Sequence, residues 1–118
     1  MGLFDNYKKK EIRPNFSKVD TTEKVIELEK KGILSPLYLM PLKFNGEASE
    51  RNRLFVPPFA VELKDRCDHI VETLFVRNKV NGYSCTPTYK GKSFVPSQVT
   101  VIARKDDKDV FTYTLRIW

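Results

Sequence analysis

Prolines at 36, 41, 57 and 58 set the limits on what this chain can fold into. A proline inside a helix removes a backbone donor and collides with the preceding turn. Inside a sheet it is tolerated only at an edge. The stretch 33–57 mixes Leu34, Leu37, Leu39 and Leu42 with Pro36 and Pro41. It therefore holds no interior helix, and any strand in it lies at an edge. Tyr38 to Phe44 reads as extended. Asn45-Gly46 opens a polar stretch through Asn52 that reads as an exposed loop. A short strand over Arg53 to Val56 is closed by Pro57-Pro58, and Pro58 suits the first turn of a following helix.

That helix is predicted over 58–77. Ala60, Leu63, Cys67, Ile70, Val71 and Leu74 recur in steps of three and four, which marks one helical face. The competing reading, a strand from Ile70 to Val80 turning at Asn81-Gly82, leaves Glu72 and Asn78 on its apolar side. An earlier helix is predicted over 20–32. Asp20 and Glu23 match a capping box, Val25, Ile26 and Leu28 supply an apolar stripe, and Gly32 can end the helix in the left-handed region. Beyond residue 83 the chain is β-rich. Val99 to Ala103 and Val110 to Ile117 form an antiparallel hairpin around the charged connection Arg104 to Asp109. In its second strand Phe111, Tyr113, Leu115 and Ile117 share one face.

The expected fold is α+β: two helices packed on one face of a mostly antiparallel sheet of four or five strands. Residues 1–19 read as a basic N-terminal arm, in which Leu3, Phe4 and Tyr7 have helical spacing and Pro14 stops continuation. Residues 20–118 read as a single α+β domain. The 118 residues are 41% hydrophobic, ordinary for a globular core.

The net charge of +6 is unevenly placed. Residues 1–19 hold five basic and two acidic side chains, and the remaining 99 hold 16 and 13, so each part carries +3. The domain itself is close to balanced and shows no basic stripe along the sequence. Two cysteines, no apolar signal-peptide core and no apolar run of about 20 residues point to a cytoplasmic protein with reduced thiols and no membrane span. Asn15-Phe16-Ser17 matches a glycosylation acceptor by chance on that reading, and Asn6 breaks the myristoylation pattern.

Chemistry-bearing patterns are sparse. Cys67-Asp68-His69 fails as a catalytic pair, because residues two apart on a helix point about 200° away from each other. Cys67 belongs to the core and His69 to the surface. Adding Cys85 gives three zinc ligands where a structural site takes four. Glu62, Asp65, Asp68 and Glu72, among Lys64, Arg66 and Arg77, read as the solvated outer face of the second helix. Asp106, Asp107 and Asp109 read as turn chemistry, since Lys105 and Lys108 intrude on any cation loop. Tyr89-Lys90-Gly91-Lys92-Ser93 resembles the tail of a phosphate loop but lacks the upstream glycine and the following helix. No catalytic residue, cofactor or metal site is expected.

By elimination the sequence reads as a small non-enzymatic interaction or accessory module with a protein partner. Its contact surfaces are expected at the proline-rich edge from Leu37 to Lys43 and at the last strand, where an unpaired edge accepts a partner strand or a second copy. The alternative is nucleic-acid binding through the basic arm and an aromatic and basic surface of Tyr83, Tyr89, Lys90, Lys92, Arg104, Arg116 and Trp118, with Lys105 nearby. A third reading, an enzyme without a recognisable motif, has no residue to point to.

Overall fold

In a computed structural model of the chain, the structure describes residues 15–118. The expectations for Leu3, Phe4, Tyr7 and Pro14 and for the lysine run fall outside the described residues. Phe16 and Val19 are buried in the main core, so residues 16–19 belong to the folded body. A single helical turn over Phe16–Lys18 holds them there. Its Asn15 side chain accepts from the Ser17 backbone and hydroxyl.

Helix α1 spans Thr22–Lys30. Its cap is Thr21, whose hydroxyl accepts from the Lys24 N–H at 3.2 Å, and not Asp20 as the sequence suggested. Asp20 lies one residue too early for that bond and pairs with the Lys24 ammonium at 2.8 Å instead. That ammonium, by hydrogen bond and by charge, holds the Asp20 carboxyl below its usual range. The helix ends where Gly32 takes φ +75°. There Ile33 N–H donates to Leu28 O and Gly32 N–H to Glu29 O, the reciprocal pair of a Schellman stop.

Strands β1 (Ser35–Tyr38) and β2 (Arg53–Val56) pair antiparallel, with Ser35 opposite Val56 and Tyr38 opposite Arg53. The extended segment stops at Tyr38, short of the expected Phe44. After Pro41 the chain closes a tight helical turn over Leu42–Phe44, and Asn45 sits at φ 68°. The side chain of Asn52 replaces the missing ladder. Its Oδ1 accepts from Met40 N at 2.7 Å, and its Nδ2 donates to Met40 O and Glu47 O, each at 2.8 Å.

Helix α2 spans Pro58–Val76 with Pro58 in its first turn, in agreement with the apolar spacing and against the strand reading. Asn78, at φ 57°, closes it. The buried face differs from the expected one. Ala60, Lys64, Cys67, Asp68 and Val71 are buried, whereas Ile70 is 48% exposed. With about 100° per residue, the helix is turned by roughly half a residue step. Lys64 and Asp68 thereby move from the outer face to the inside.

The second sheet is β3 (Gly82–Thr88), β4 (Gln98–Lys105) and β5 (Lys108–Arg116), antiparallel in the order β3-β4-β5. Positive φ at both Asp106 (50°) and Asp107 (67°) is the twist that a two-residue hairpin turn requires. Val99, Val101 and Ala103 face inward and are fully buried. On β5 Leu115 follows them and Phe111 does so in part, but Tyr113 stays 39% exposed at the sheet edge. The fold is thus α+β, with two α-helices and five strands among the described residues. The strands form two sheets, of two and three strands, and not the single sheet of four or five that was expected. Pro36 stands on the outer edge of β1, where a proline is tolerated, and β2 runs directly into Pro57 and α2.

Candidate binding cleft

A cavity of about 420 Å³ lies between the segment after β1 and the flank of α2. One wall is Pro36, Leu37, Tyr38, Pro41, Leu42 and Lys43. The other is Val61, Lys64, Asp65 and Asp68. The volume falls within the range of small-ligand sites. The wall from 36 to 43 is the proline-rich edge already singled out in the sequence. Its shape depends on the Asn52 hydrogen bonds and on Gly46, where a Cβ would lie 2.0 Å from Met40 O.

Within the cleft is a closed polar network. The Lys64 ammonium lies 2.6 Å from Asp68 Oδ2 and donates to the Tyr83 hydroxyl at 3.0 Å. That hydroxyl donates to Asp68 Oδ1 at 2.7 Å, with Leu39 O at 3.3 Å as a second acceptor. Lys64 and Asp68 are only 2% and 3% exposed. Burial, and then the bond to Asp68, pushes the Tyr83 phenol far above its ordinary value, so it keeps its proton and remains a donor. A buried charge is tolerated when it is paired and hydrogen-bonded, and each member here satisfies the other two. The cation also lies 5.6 Å from the Tyr83 ring centroid. Phe44 stacks edge-on against the same ring at 5.4 Å.

At the rim the charges are unequal. Lys43 pairs with Glu72 at 3.3 Å. Asp65 is exposed and has no ion-pair or hydrogen-bond partner among the described residues. With Lys64 held by Asp68 and Lys43 turned to Glu72, Asp65 is the cleft carboxylate without a partner among the described residues. Leu42, 49% exposed, adds an uncovered apolar side chain to the same wall.

The residues proposed from the sequence as a nucleic-acid or partner surface are distributed differently. Tyr83 points inward to Lys64 and Asp68. Lys90 and Trp118 do meet: the ammonium lies 5.3 Å from the indole centroid and donates to Trp118 O at 3.0 Å. The indole N–H is taken by Val95 O. Tyr89 and Lys92 are exposed nearby in sequence. Arg104 pairs with Asp109 at the hairpin end of β4. Arg116 lies opposite Gln98 at the other end, about 20 Å away at strand rise. Lys105 is engaged by Asn78.

Sequence reasoning missed Lys64 and Asp68 as inward residues. One signal was present: the lysine precedes the acid at i,i+4, the less favourable order for an exposed helix pair. Cys67 is buried and His69 has its side chain 76% exposed beside Glu72, as their separation around the helix requires. Burial raises the Cys67 and Cys85 thiols from 9.0 to about 11, which leaves both protonated and weakly nucleophilic at neutral pH. Among the described residues no group of three or more His, Cys, Asp or Glu side chains is arranged to hold a metal, and no helix is long and apolar enough to cross a membrane.

No family model, curated protein or solved structure matches the chain.

Proposed function

We propose that the protein is a non-enzymatic binding module whose recognition site is the cleft between residues 36–43 and α2. The observation that carries this reading is a formed cavity whose buried charges are fully committed to one another. Catalytic groups are commonly hydrogen-bonded to one another as well; what favours a structural role is that Lys64 and Asp68 are 2% and 3% exposed and present almost no surface to a substrate. Here both Asp68 oxygens accept bonds from within the protein, and Lys64 is tied to two partners. Such a network fixes the shape and polarity of a site. Nucleic-acid binding has less in its favour: Tyr83 lies inside, Arg104 is paired with Asp109, and Arg116 stands at the far end of the sheet.

Amide chemical-shift mapping of the full chain against a library of small uncharged fragments tests the reading. Shifts are expected to cluster at Leu37, Tyr38, Val61 and Asp65. Fragment shifts scattered over the chain, or gathered on the outer face of the larger sheet around Thr100 and Thr112, would contradict it.

A further inference from the structure

We infer that the occupant of this cleft is an extended peptide segment carrying a basic side chain, which adds as a third strand to the edge of β1 that no strand among the described residues pairs. The inference rests on the binding reading above and deepens it. Leu39 N–H donates to Asn52 O at 2.9 Å, one step beyond the β1–β2 register. Hydrogen-bonded pairs alternate along an antiparallel ladder. Leu37 with Leu54 and Ser35 with Val56 are therefore the bonded pairs, and the backbone groups of Pro36 and Tyr38 point away from β2. Pro36 has no N–H to leave unmet. The outer edge thus offers Pro36 C=O, Tyr38 N–H and Tyr38 C=O.

Those same residues line the cleft opposite Val61, Lys64, Asp65 and Asp68, which fall on one face of α2 by their spacing. A groove with a strand edge on one side and a helix face on the other suits an added strand, whose backbone bonds give affinity and whose alternate side chains give specificity. The chemistry of the rim selects the occupant. Asp65, free of partners among the described residues, calls for a lysine or arginine. Leu42, Pro41 and Pro36 offer an apolar wall to a neighbouring side chain.

The test uses the full chain and two pools of capped pentapeptides. The pools are randomised over Val, Leu, Thr and Tyr, except for a central position held as Lys in one and as Glu in the other. The Lys pool is expected to shift the Tyr38 and Asp65 amides and to bind about fivefold more tightly than the Glu pool, the size of one exposed charge pair. Asp65→Asn, a surface change, is expected to abolish that preference. N-methylation of alternate backbone nitrogens in the best binder is expected to weaken it about fivefold in one register and not in the other. Cleft shifts that ignore N-methylation would overturn strand addition while leaving the binding reading intact. A Glu pool that binds as well as the Lys pool would overturn the charge assignment. If fragments occupy the cleft and neither pool does, the peptide class is wrong. If nothing occupies it, both readings fall.

Discussion

Asp68→Ala is expected to destabilise the protein by about 3–5 kcal/mol, the usual consequence of leaving one member of a buried ion pair without its partner. Lys64 is 2% exposed, and its remaining acceptor would be the Tyr83 hydroxyl alone. The ammonium would then be buried without a counter-ion, which costs stability. The double variant Lys64→Met with Asp68→Leu removes both charges. It is expected to lie within about 1 kcal/mol of the parent, or above it, because burying the pair costs nearly what the pair returns. The Tyr83 hydroxyl then turns to Leu39 O, already 3.3 Å away. Urea unfolding of the four proteins of the cycle measures the difference. A loss in the double variant equal to the sum of the losses in Lys64→Met and Asp68→Leu would mean that the two charges act independently.

Gly46→Ala is expected to cost about 1–3 kcal/mol and to open the cleft wall. The added methyl would lie 2.0 Å from Met40 O, 2.8 Å from Met40 C and 2.9 Å from Pro41 O. All three are backbone atoms, so relief requires moving the chain and not rotating a side chain, which is the overpacking case. Gly32→Ala serves as the comparison. Gly32 has φ +75° and nothing within 4 Å of its virtual Cβ, so its cost is the backbone term alone, about 1 kcal/mol. The two variants are therefore expected to differ in kind. Gly46→Ala shifts the amides from Met40 to Asn45, and Gly32→Ala leaves them in place. Unchanged shifts over that segment in Gly46→Ala would show that it does not hold the cleft wall.

The legible parts of this fold were those written in local spacing. The steps from Ala60 to Leu74 specify a helix, Pro58 its start, and Val110 to Ile117 a strand. What local spacing does not contain is the partner of a face. Lys64 and Asp68 look like solvent-facing charges until Tyr83, 19 residues beyond Lys64, supplies the hydroxyl that makes their burial tolerable. A helix face is chosen by what covers it, and a half-step rotation toward a polar network outweighed the burial of Ile70. The division into two sheets was beyond reach for a related reason. Pro36 announces an edge but not which sheet it edges. The cleft itself was half legible, since Pro36 and Pro41 mark Leu37 to Lys43 as an edge, while the α2 wall depends on the rotation.

On the proposed function the buried charges of the cleft, Lys64 and Asp68, are closed on each other and on Tyr83, and Asp65 is the carboxylate left open to an occupant. Limited amine acylation of the native chain with an N-hydroxysuccinimide ester at neutral pH, read by peptide mass mapping, tests this most directly. Lys64 is expected to react roughly a hundredfold more slowly than the exposed Lys79 and Lys108, the factor for a local opening that costs about 3 kcal/mol. It is expected to match them once the chain is unfolded. Labelling of native Lys64 at the rate of Lys79 would contradict this, since it would show the Lys64 amine open to solvent and the network unformed.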